Sequence, residues 1–472
     1  MKRRTFLRNY SFLGIVPFIN KVTFLGNNCF GMGLKNESSG KKMDPICKVK
    51  KELYLKYPEP GIAPIVHMAY IGNGIIREEV RGYEQHSDWH EDRQRRISHD
   101  NGKSWSEWEP LENRTQYSGE TLLTEERWYL NFQNCTRPPF DPVSRNLIRP
   151  AFQRITMGDP ASAIGTGWND KSGRLYRDHG FYELSEDNGI TWREGGQLMY
   201  EEGACFNPDN WANPDFLHTN EMYIGNAIVL KSGSVAICAT VPVPYAIPED
   251  EKYGNESYKQ GYVGGAICFV GKWDKRKKNY RWQKSNSIFL PRRISSRGLG
   301  ELCISELKNG NLLMIMRGSN AGLDIDESPG RKWHSVSKDG GLTWETVKDL
   351  RYDTGETFYS SASYHKTIRS SKTGKLYWIG NINLTPARGS YPRYPLQIVE
   401  IDEEKAALKK DTVTVIDTRA EDEPEGVQLS NFSILEDTET KNIEIYLTRY
   451  GENENKGLDV NSANAYKYTL YM

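Results

Sequence analysis

The chain has 472 residues, enough to bury a large core, and its 62 Lys plus Arg residues are balanced by 62 Asp plus Glu residues. A formal net charge of zero argues against a nucleic-acid partner, because proteins of that class usually carry a clear basic excess. The sequence also contains no uninterrupted stretch of about 20 apolar residues, which excludes an ordinary membrane-spanning helix.

The N-terminus has the pattern of an export signal. The basic segment Lys2–Arg8 resembles the twin-arginine export motif, and a moderately apolar run from Tyr10 to Leu25 follows it. Lys21 interrupts that run, so it is too short to cross a membrane. We therefore predict that residues 1–45 are an export signal and linker, that residues 46–472 form a single domain, and that the protein is periplasmic or on the cell surface.

A short pattern, S-x-D-x-G-x-S/T-W, occurs three times, at Ser98–Trp105, Ser185–Trp192 and Ser337–Trp344. Ser and Asp side chains can accept hydrogen bonds from backbone N–H groups in a tight turn, and Gly adopts the backbone conformation that other residues avoid. The Trp then returns the chain to the core. Each copy therefore predicts a hairpin turn with a structural role, and the pattern resembles the Asp box of sialidase-type propellers.

A looser repeat marks the start of further hairpins. Ile228–Ile237 resembles Ile304–Leu313, and both have a strand, a turn at Ser-Gly or Asn-Gly, and a second strand. Similar segments begin near Ala63, Asn146, Tyr359 and Leu429. Six such starts predict an all-β fold, a six-bladed β-propeller of four-stranded antiparallel blades with Asp-box hairpins. We expect the final strand, Ala465–Tyr471, to pair with the first blade and close the ring.

Three polar stretches are too long for simple turns, namely Tyr117–Pro142, Pro242–Gly261 and Arg388–Arg393. Loops of this kind commonly carry binding residues on a rigid scaffold. We therefore expect them to surround the central mouth of the propeller.

From about Ile62 onward the chain resembles the bacterial sialidases. The segment from Glu301 to Arg317 resembles the family segment that joins the catalytic Glu to an arginine of the substrate clamp. Arg331 lies shortly before the third Asp box, where the family places another clamp arginine, and Tyr359 lies in a segment like that of the nucleophilic tyrosine. The resemblance implies an exo-acting glycosidase that releases a terminal acidic sugar from glycans with retention.

The chemistry of that reaction explains these residue types. Sialic acid carries a carboxylate on its anomeric carbon, and a neutral phenol approaches that centre without the repulsion that a carboxylate nucleophile would meet. A phenol with a pKa near about 10 needs a base, the role implied for Glu301 beside Tyr359. Arg317 and Arg331 suit the clamp because a guanidinium bonds a carboxylate through two parallel hydrogen bonds. We expect neither a cofactor nor a metal ion.

The general acid is expected between the first blade's start and the first Asp box. His86, Asp88, His90 and Asp92 alternate there, which predicts that all four lie on one face of a strand. Asp88 is the first candidate for the acid that protonates the leaving oxygen, and Asp92 is the second candidate, with a role in substrate binding. A metal site would need a further ligand that the sequence does not offer.

One departure from the family pattern concerns the central clamp arginine. The family's first blade begins with Phe-Arg-Ile-Pro, whereas this chain has Gly-Ile-Ala-Pro, with Ile62 in the place of the Arg. Either Arg77 or Arg81 reaches inward instead, or the substrate has changed.

Two other classes of function remain open. A polysaccharide lyase on the same propeller would remove the proton beside a uronate carboxylate, with His67, His179 or Tyr359 as candidate bases. A non-catalytic glycan-binding propeller is the other class, since a fold does not fix a function.

Overall fold

A computed structural model describes residues 44–86, 89–111, 114–117, 123–129, 137–157, 176–205, 219–242 and 264–472. Their strands form six antiparallel sheets, the blades, numbered here along the chain. The first blade contains the strands Ala63–Tyr70, Arg77–His86, Trp89–Ser98 and Glu109–Pro110. The second contains Arg114–Tyr117, Leu123–Tyr129, Phe140–Asp141, Asn146–Met157, Tyr176–Ser185 and Arg193–Gln197.

The third blade contains the strands Tyr223–Val229, Val235–Pro242, Gly264–Asp274 and Asn279–Lys284. The fourth contains Gly300–Glu306, Leu312–Arg317, Lys332–Ser337 and Lys348–Asp349. The fifth contains Lys366–Arg369, Leu376–Asn381, Leu396–Asp402, Ala407–Leu408 and Thr414–Asp417. The sixth contains Ser433–Glu436, Ile443–Thr448, Ala465–Tyr471 and Lys48–Leu55. Two short 3-10 helices lie at Lys410–Thr412 and Glu454–Lys456.

Consecutive strands pair within each blade, which confirms the predicted six-bladed β-propeller of four-stranded antiparallel blades. The second and fifth blades carry extra short strands beside the four-stranded core. In the second blade, Leu123–Tyr129 and Phe140–Asp141 lie along successive parts of Asn146–Met157. Asn146 therefore begins the second strand of its blade rather than the first.

The ring is closed by the N-terminal strand. Lys48–Leu55 pairs with Ala465–Tyr471 and becomes the outermost strand of the sixth blade, with Lys48 opposite Tyr471. The expectation that Ala465–Tyr471 pairs with the first blade is wrong, because this strand lies between Ile443–Thr448 and Lys48–Leu55. The two ends of the propeller are thus joined in one sheet, in which the lysine-rich sequence of Lys48–Leu55 suits a half-exposed edge.

The core lies between neighbouring blades. Phe152 of the second blade packs with Ile237 of the third, and Ile315 of the fourth packs with Trp378 of the fifth. Strands enclosed by two blades are apolar on both faces, as in Ala63–Tyr70, where all residues are buried. Each fully buried large apolar side chain contributes roughly 1.5–3 kcal/mol to the burial free energy, so these interfaces hold the ring together.

The three Asp boxes form the predicted turns. In the first, Gly102 has a φ of 86° and its N–H donates to Ser98 Oγ at 2.7 Å. The carboxylate of Asp100 accepts hydrogen bonds from Ser104 N at 2.8 Å and from Ser104 Oγ at 2.6 Å. These bonds with Ser104 lower the pKa of Asp100 to about 2, so the turn is held by an ionised carboxylate.

The strand order separates the two faces of the ring. Because each blade runs up, down, up and down, the turns between its first and second and its third and fourth strands share one face. All three boxes join third to fourth strands, so we call this the Asp-box face. The mouth face is the opposite one, where first and third strands begin and where second and fourth strands end.

Candidate active site

On the mouth face, the first strand of the fourth blade begins with a bulge. The register between Gly300–Glu306 and Leu312–Arg317 shifts between Gly300 and Cys303. Glu301 lies in this bulge with a φ of 46°, a conformation that is uncommon for any residue except Gly. Bulges re-aim a side chain and are frequent beside active sites, and local backbone strain clusters there as well. The bulge and the positive φ make Glu301 a candidate for a functional residue.

Glu301 forms an ion pair with Arg317. Arg317 Nη1 donates to Glu301 Oε1, and the two side chains are 20% and 23% exposed, respectively. The second oxygen, Glu301 Oε2, is buried and has no hydrogen-bond partner in the part of the chain that the structure describes. Buried carboxylate oxygens are normally satisfied, so Oε2 is an acceptor to which a hydroxyl group can still donate.

Lys332 begins the third strand of the fourth blade, and its side chain is buried. Its ammonium group donates to the carbonyl oxygens of Ser361, at 3.0 Å, and Ser363. Burial lowers the pKa of Lys332 to about 7; the charge of Glu301 opposes this effect, and that of Arg317 adds to it. No sequence pattern marks Lys332, which is an ordinary-looking neighbour of Arg331.

Arg331 and Tyr359 contact each other directly. The guanidinium of Arg331 lies 5.0 Å from the centroid of the Tyr359 ring, and its Nη1 donates to the carbonyl oxygen of Phe358 at 2.7 Å. A backbone hydrogen bond of 2.9 Å from Ser360 to Gly330 holds the two segments together. Burial lowers the pKa of Arg331, although an arginine remains charged at any physiological pH.

The phenol of Tyr359 and the carboxylate of Glu301 are not hydrogen-bonded to each other among the described residues. Glu301 is bound to Arg317, and Tyr359 is held by Arg331. Lys332 follows Arg331 in the chain, and its pKa responds to the charges of Glu301 and Arg317. The pairing of Tyr359 with Glu301 as its base therefore stays a prediction.

Arg393 of the fifth blade also belongs to this region. It lies near enough to Lys332 to lower the pKa of that lysine. Arg393 Nη1 donates to Gln428 Oε1 at 3.0 Å, and the amide of Gln428 donates to the hydroxyl of Tyr391 at 3.3 Å. The length and polarity of the segment Arg388–Arg393 predict a loop beside the mouth, but they indicate no role for Arg393. We call the following residues the mouth cluster: Glu301, Arg317, Arg331, Lys332, Tyr359 and Arg393.

In the first blade, the candidate acid Asp88 lies outside the described residues. Asp92 is exposed and has a φ of 46°, at a point where the register between the second and third strands shifts. The expectation that His86, Asp88, His90 and Asp92 share one face of a strand is wrong. One strand ends at His86 and the next begins at Trp89, directly opposite, so the chain reverses within this polar run.

Ile62, in the place of the family's central clamp arginine, is half-buried and immediately precedes the first strand. Arg77 does not replace it, because it begins the second strand on the Asp-box face. Its guanidinium is buried there in ion pairs with Asp437 and, at 2.9 Å, with Glu444.

Arg81 does not serve at the mouth either. It donates to Gln94 Oε1 at 2.8 Å and stacks on the ring of Trp108 at 3.9 Å, both within its own blade. The expectation that Arg77 or Arg81 supplies the missing clamp residue is therefore wrong, because both are used in the framework of the fold.

Two of the candidate lyase bases, His67 and His179, lie inside strands. His67 is buried in the first strand of the first blade, and His179 is fully buried in the second blade. Within the described residues, no three His, Cys, Asp or Glu side chains are grouped closely enough to hold a metal ion. No helix among these residues is long and apolar enough to span a membrane.

These features define a six-bladed Asp-box β-propeller with a cluster of basic residues on its mouth face. The BNR/Asp-box repeat model matches residues 96–107, which include the whole first box, Ser98–Trp105. Among solved structures, a Dyadobacter fermentans protein of unknown function superposes with a TM-score of 0.51 at 12% identity, covering 90% of this chain and 99% of its own. A mutant of the NanB sialidase from Streptococcus pneumoniae gives 0.50 at 13% identity, covering 87% of this chain and 68% of its own. At these identities the likeness shows a shared fold. A search of curated proteins finds no match.

Proposed function

We propose that this protein is an exo-acting glycoside hydrolase of the sialidase type, which releases a terminal acidic sugar from glycans with retention. The observation that carries the proposal is the mouth cluster, in which the ion pair of Glu301 with Arg317 and the contact of Arg331 with Tyr359 lie on one face, with Lys332 and Arg393. A site with this excess of positive charge suits an anionic sugar. The shared fold with a sialidase supports the same class of reaction.

In this mechanism, Arg317 and Arg393 bind the carboxylate of the substrate. We propose that the substrate carboxylate competes with Glu301 for Arg317, so that substrate binding releases Glu301 from its ion pair. Glu301 then accepts the phenolic proton of Tyr359, whose oxygen attacks the anomeric carbon while an acid, Asp88 in our proposal, protonates the leaving oxygen. Arg331 over the Tyr359 ring favours the negative charge that develops on the phenol oxygen. Water then displaces Tyr359 from the sugar and completes the hydrolysis.

Ile62 favours a second possibility for the substrate. Without an arginine at this position the clamp differs from that of the family, which suits an acidic sugar other than sialic acid, such as a uronate. A lyase acting on uronate would leave an unsaturated product without consuming water. A glycan-binding propeller would form no product.

The test compares Tyr359→Phe, Glu301→Gln and the control Tyr471→Phe on sialyl and uronyl glycosides. Tyr471 is an exposed tyrosine on the third strand of the sixth blade, so its variant should behave like the wild type. We expect Tyr359→Phe to abolish turnover while its circular dichroism and melting temperature stay unchanged. Undiminished activity of a folded Tyr359→Phe protein would refute the role of Tyr359 as nucleophile.

We also propose that the protein is exported. Residues 1–43 lie outside the described part of the chain, and the proposal rests on the basic segment Lys2–Arg8. Replacing Arg3 and Arg4 by Lys should retain the protein in the cytoplasm, and continued export of this variant would contradict a twin-arginine route.

A further inference from the structure

A groove lies on the Asp-box face, between the second and third blades and away from the mouth cluster. Its volume is about 680 Å³, within the range of ligand-binding clefts. Three hairpin turns enclose it: residues 142–145, the second Asp box at Ser185–Asn188, and residues 275–278 of the third blade. The turn at residues 275–278 joins the third and fourth strands of its blade, which is the position of the Asp box in the first, second and fourth blades.

The groove exposes apolar and aromatic side chains. Phe140 is 43% exposed and Val143 is 48% exposed, while Trp273 is half-buried. Large exposed apolar residues that line a concavity mark a binding surface more often than scattered ones do. Aromatic rings in such a cleft offer faces on which sugar rings stack.

The charged residues of the groove are mainly basic. Arg145, Lys275 and Lys278 are exposed, and their side chains form no ion pair with any other described residue. Glu186 is the acidic residue of the lining, and Arg193 lies 3.9 Å from its carboxylate. The groove therefore keeps an uncompensated positive charge although the whole chain has none.

The basic turn of the third blade is held in a fixed shape. Asp274 Oδ1 accepts hydrogen bonds from the backbone N–H groups of Arg276, at 2.8 Å, and Lys277, at 3.2 Å. Arg193 of the second blade donates to the carbonyl oxygen of Lys278 at 2.8 Å, which ties the turn to the opposite wall. A turn fixed in this way loses less conformational entropy when a ligand binds.

We propose that this groove binds a segment of an acidic polysaccharide, independently of the mouth cluster. The cations bond the carboxylate or sulfate groups of the chain, and Phe140 with Trp273 packs against its sugar rings. A polymer is favoured over a membrane surface because the apolar residues line a cleft between two blades and are flanked by turns on both sides. A site on the face opposite the mouth would keep the enzyme on a polymer without occupying the proposed active site.

The test measures the affinity of the full chain for polygalacturonate by isothermal titration calorimetry, with fully methyl-esterified polygalacturonate as the uncharged ligand. The variant Lys275→Ser/Lys278→Ser removes two groove cations, and Phe140→Ala removes the exposed ring. The control Lys348→Ala/Lys372→Ala removes two exposed lysines of the fourth and fifth blades. Unchanged circular dichroism and melting temperature show that each variant is folded.

We expect the wild type to bind polygalacturonate and not its ester. The groove double variant should bind at least about tenfold more weakly, Phe140→Ala should weaken binding several-fold, and the control variant should bind within about twofold of the wild type. The proposal is overturned if the wild type does not bind, or if the groove variant binds as well as the wild type. It is equally overturned if both lysine pairs weaken binding alike, or if anionic phospholipid vesicles bind with the same dependence on Lys275 and Lys278.

Discussion

Arg317 binds one carboxylate oxygen of Glu301, while the other oxygen of Glu301 is buried and has no hydrogen-bond partner in the described part of the chain. In the free protein each of these charges is therefore neutralised by the other. In the proposed mechanism the carboxylate of an anionic substrate competes with Glu301 for Arg317, which leaves the Glu301 carboxylate available to accept a proton.

Glu301→Gln tests this role. The substitution keeps the size of the side chain and removes its charge, so Arg317 stays free to bind substrate while the base is lost. We expect kcat to fall by about 10²–10⁴-fold with little change in melting temperature, as for the loss of a general base. The control is Glu306→Gln at the other end of the same strand, where the carboxylate accepts hydrogen bonds from the N–H of Lys231. Equal losses in both variants would show that the effect on Glu301 is structural.

Arg77→Met tests the structural assignment of the first-blade arginine. The variant leaves the buried carboxylates of Asp437 and Glu444 without this partner. We expect the free energy of unfolding in urea to fall by about 3 kcal/mol or more, with kcat/KM unchanged in the protein that remains folded. Arg81→Met, which loses a half-exposed contact, should cost less. A loss of activity in a stable Arg77→Met protein would place Arg77 in the substrate clamp after all.

Lys332 makes stability depend on pH. Its pKa falls from 10.5 in the unfolded chain to about 7 in the fold because of burial, so between these values the unfolded chain binds more protons. Its contribution to stability is therefore complete above pH 10.5 and is lost as the pH falls through about 7. The slope is at most about 1.4 kcal/mol per pH unit.

Lys332→Met should remove this slope, so the difference in unfolding free energy between variant and wild type should change between pH 7 and 10. Urea titrations at several pH values measure it, with Lys348→Met as the exposed control. Parallel stability curves for the wild type and Lys332→Met across this range would contradict the lowered pKa.

Asp339→Ala tests whether an Asp box is purely structural. Asp339 accepts hydrogen bonds from Ser337 Oγ, Thr343 N and Thr343 Oγ1, all within its own turn on the Asp-box face. We expect the melting temperature to fall by roughly 2–4 °C while kcat and KM stay as in the wild type. Differential scanning calorimetry and steady-state kinetics measure the two effects. A selective loss of kcat without a change in melting temperature would show that the box takes part in the reaction.

The fold was predictable because its signals are local. Each Asp box contains the hydrogen bonds of its own turn within eight residues, as in Ser98–Trp105. The pattern therefore predicts the same turn at each of its three positions. The strand that closes the ring was not predictable. A polar segment such as Lys48–Leu55 becomes a strand only through pairing with Ala465–Tyr471, more than 400 residues away. No local pattern encodes that partner.

Within the mouth cluster, the sequence predicts contacts only between residues on neighbouring strands of one blade. Glu301 and Arg317 belong to adjacent strands, so their contact follows from one hairpin. Arg393 and Lys332 lie on different blades, so their electrostatic interaction does not follow from one hairpin. The buried ammonium group of Lys332 likewise finds its hydrogen-bond acceptor in the segment after Tyr359. The alternation from His86 to Asp92 misled because it spans the end of one strand and the start of the next, which are antiparallel.

We propose that the mouth cluster hydrolyses the glycosidic bond of a terminal acidic sugar. The most direct measurement incubates the purified protein with a panel of sialyl and uronyl glycosides and follows the products by mass spectrometry, for the wild type and for Glu301→Gln. We predict a saturated free acidic sugar, one water heavier than the glycosyl residue, whose release depends on Glu301. Formation of an unsaturated uronate, release that persists in Glu301→Gln, or no product from any acidic glycoside would contradict the claim.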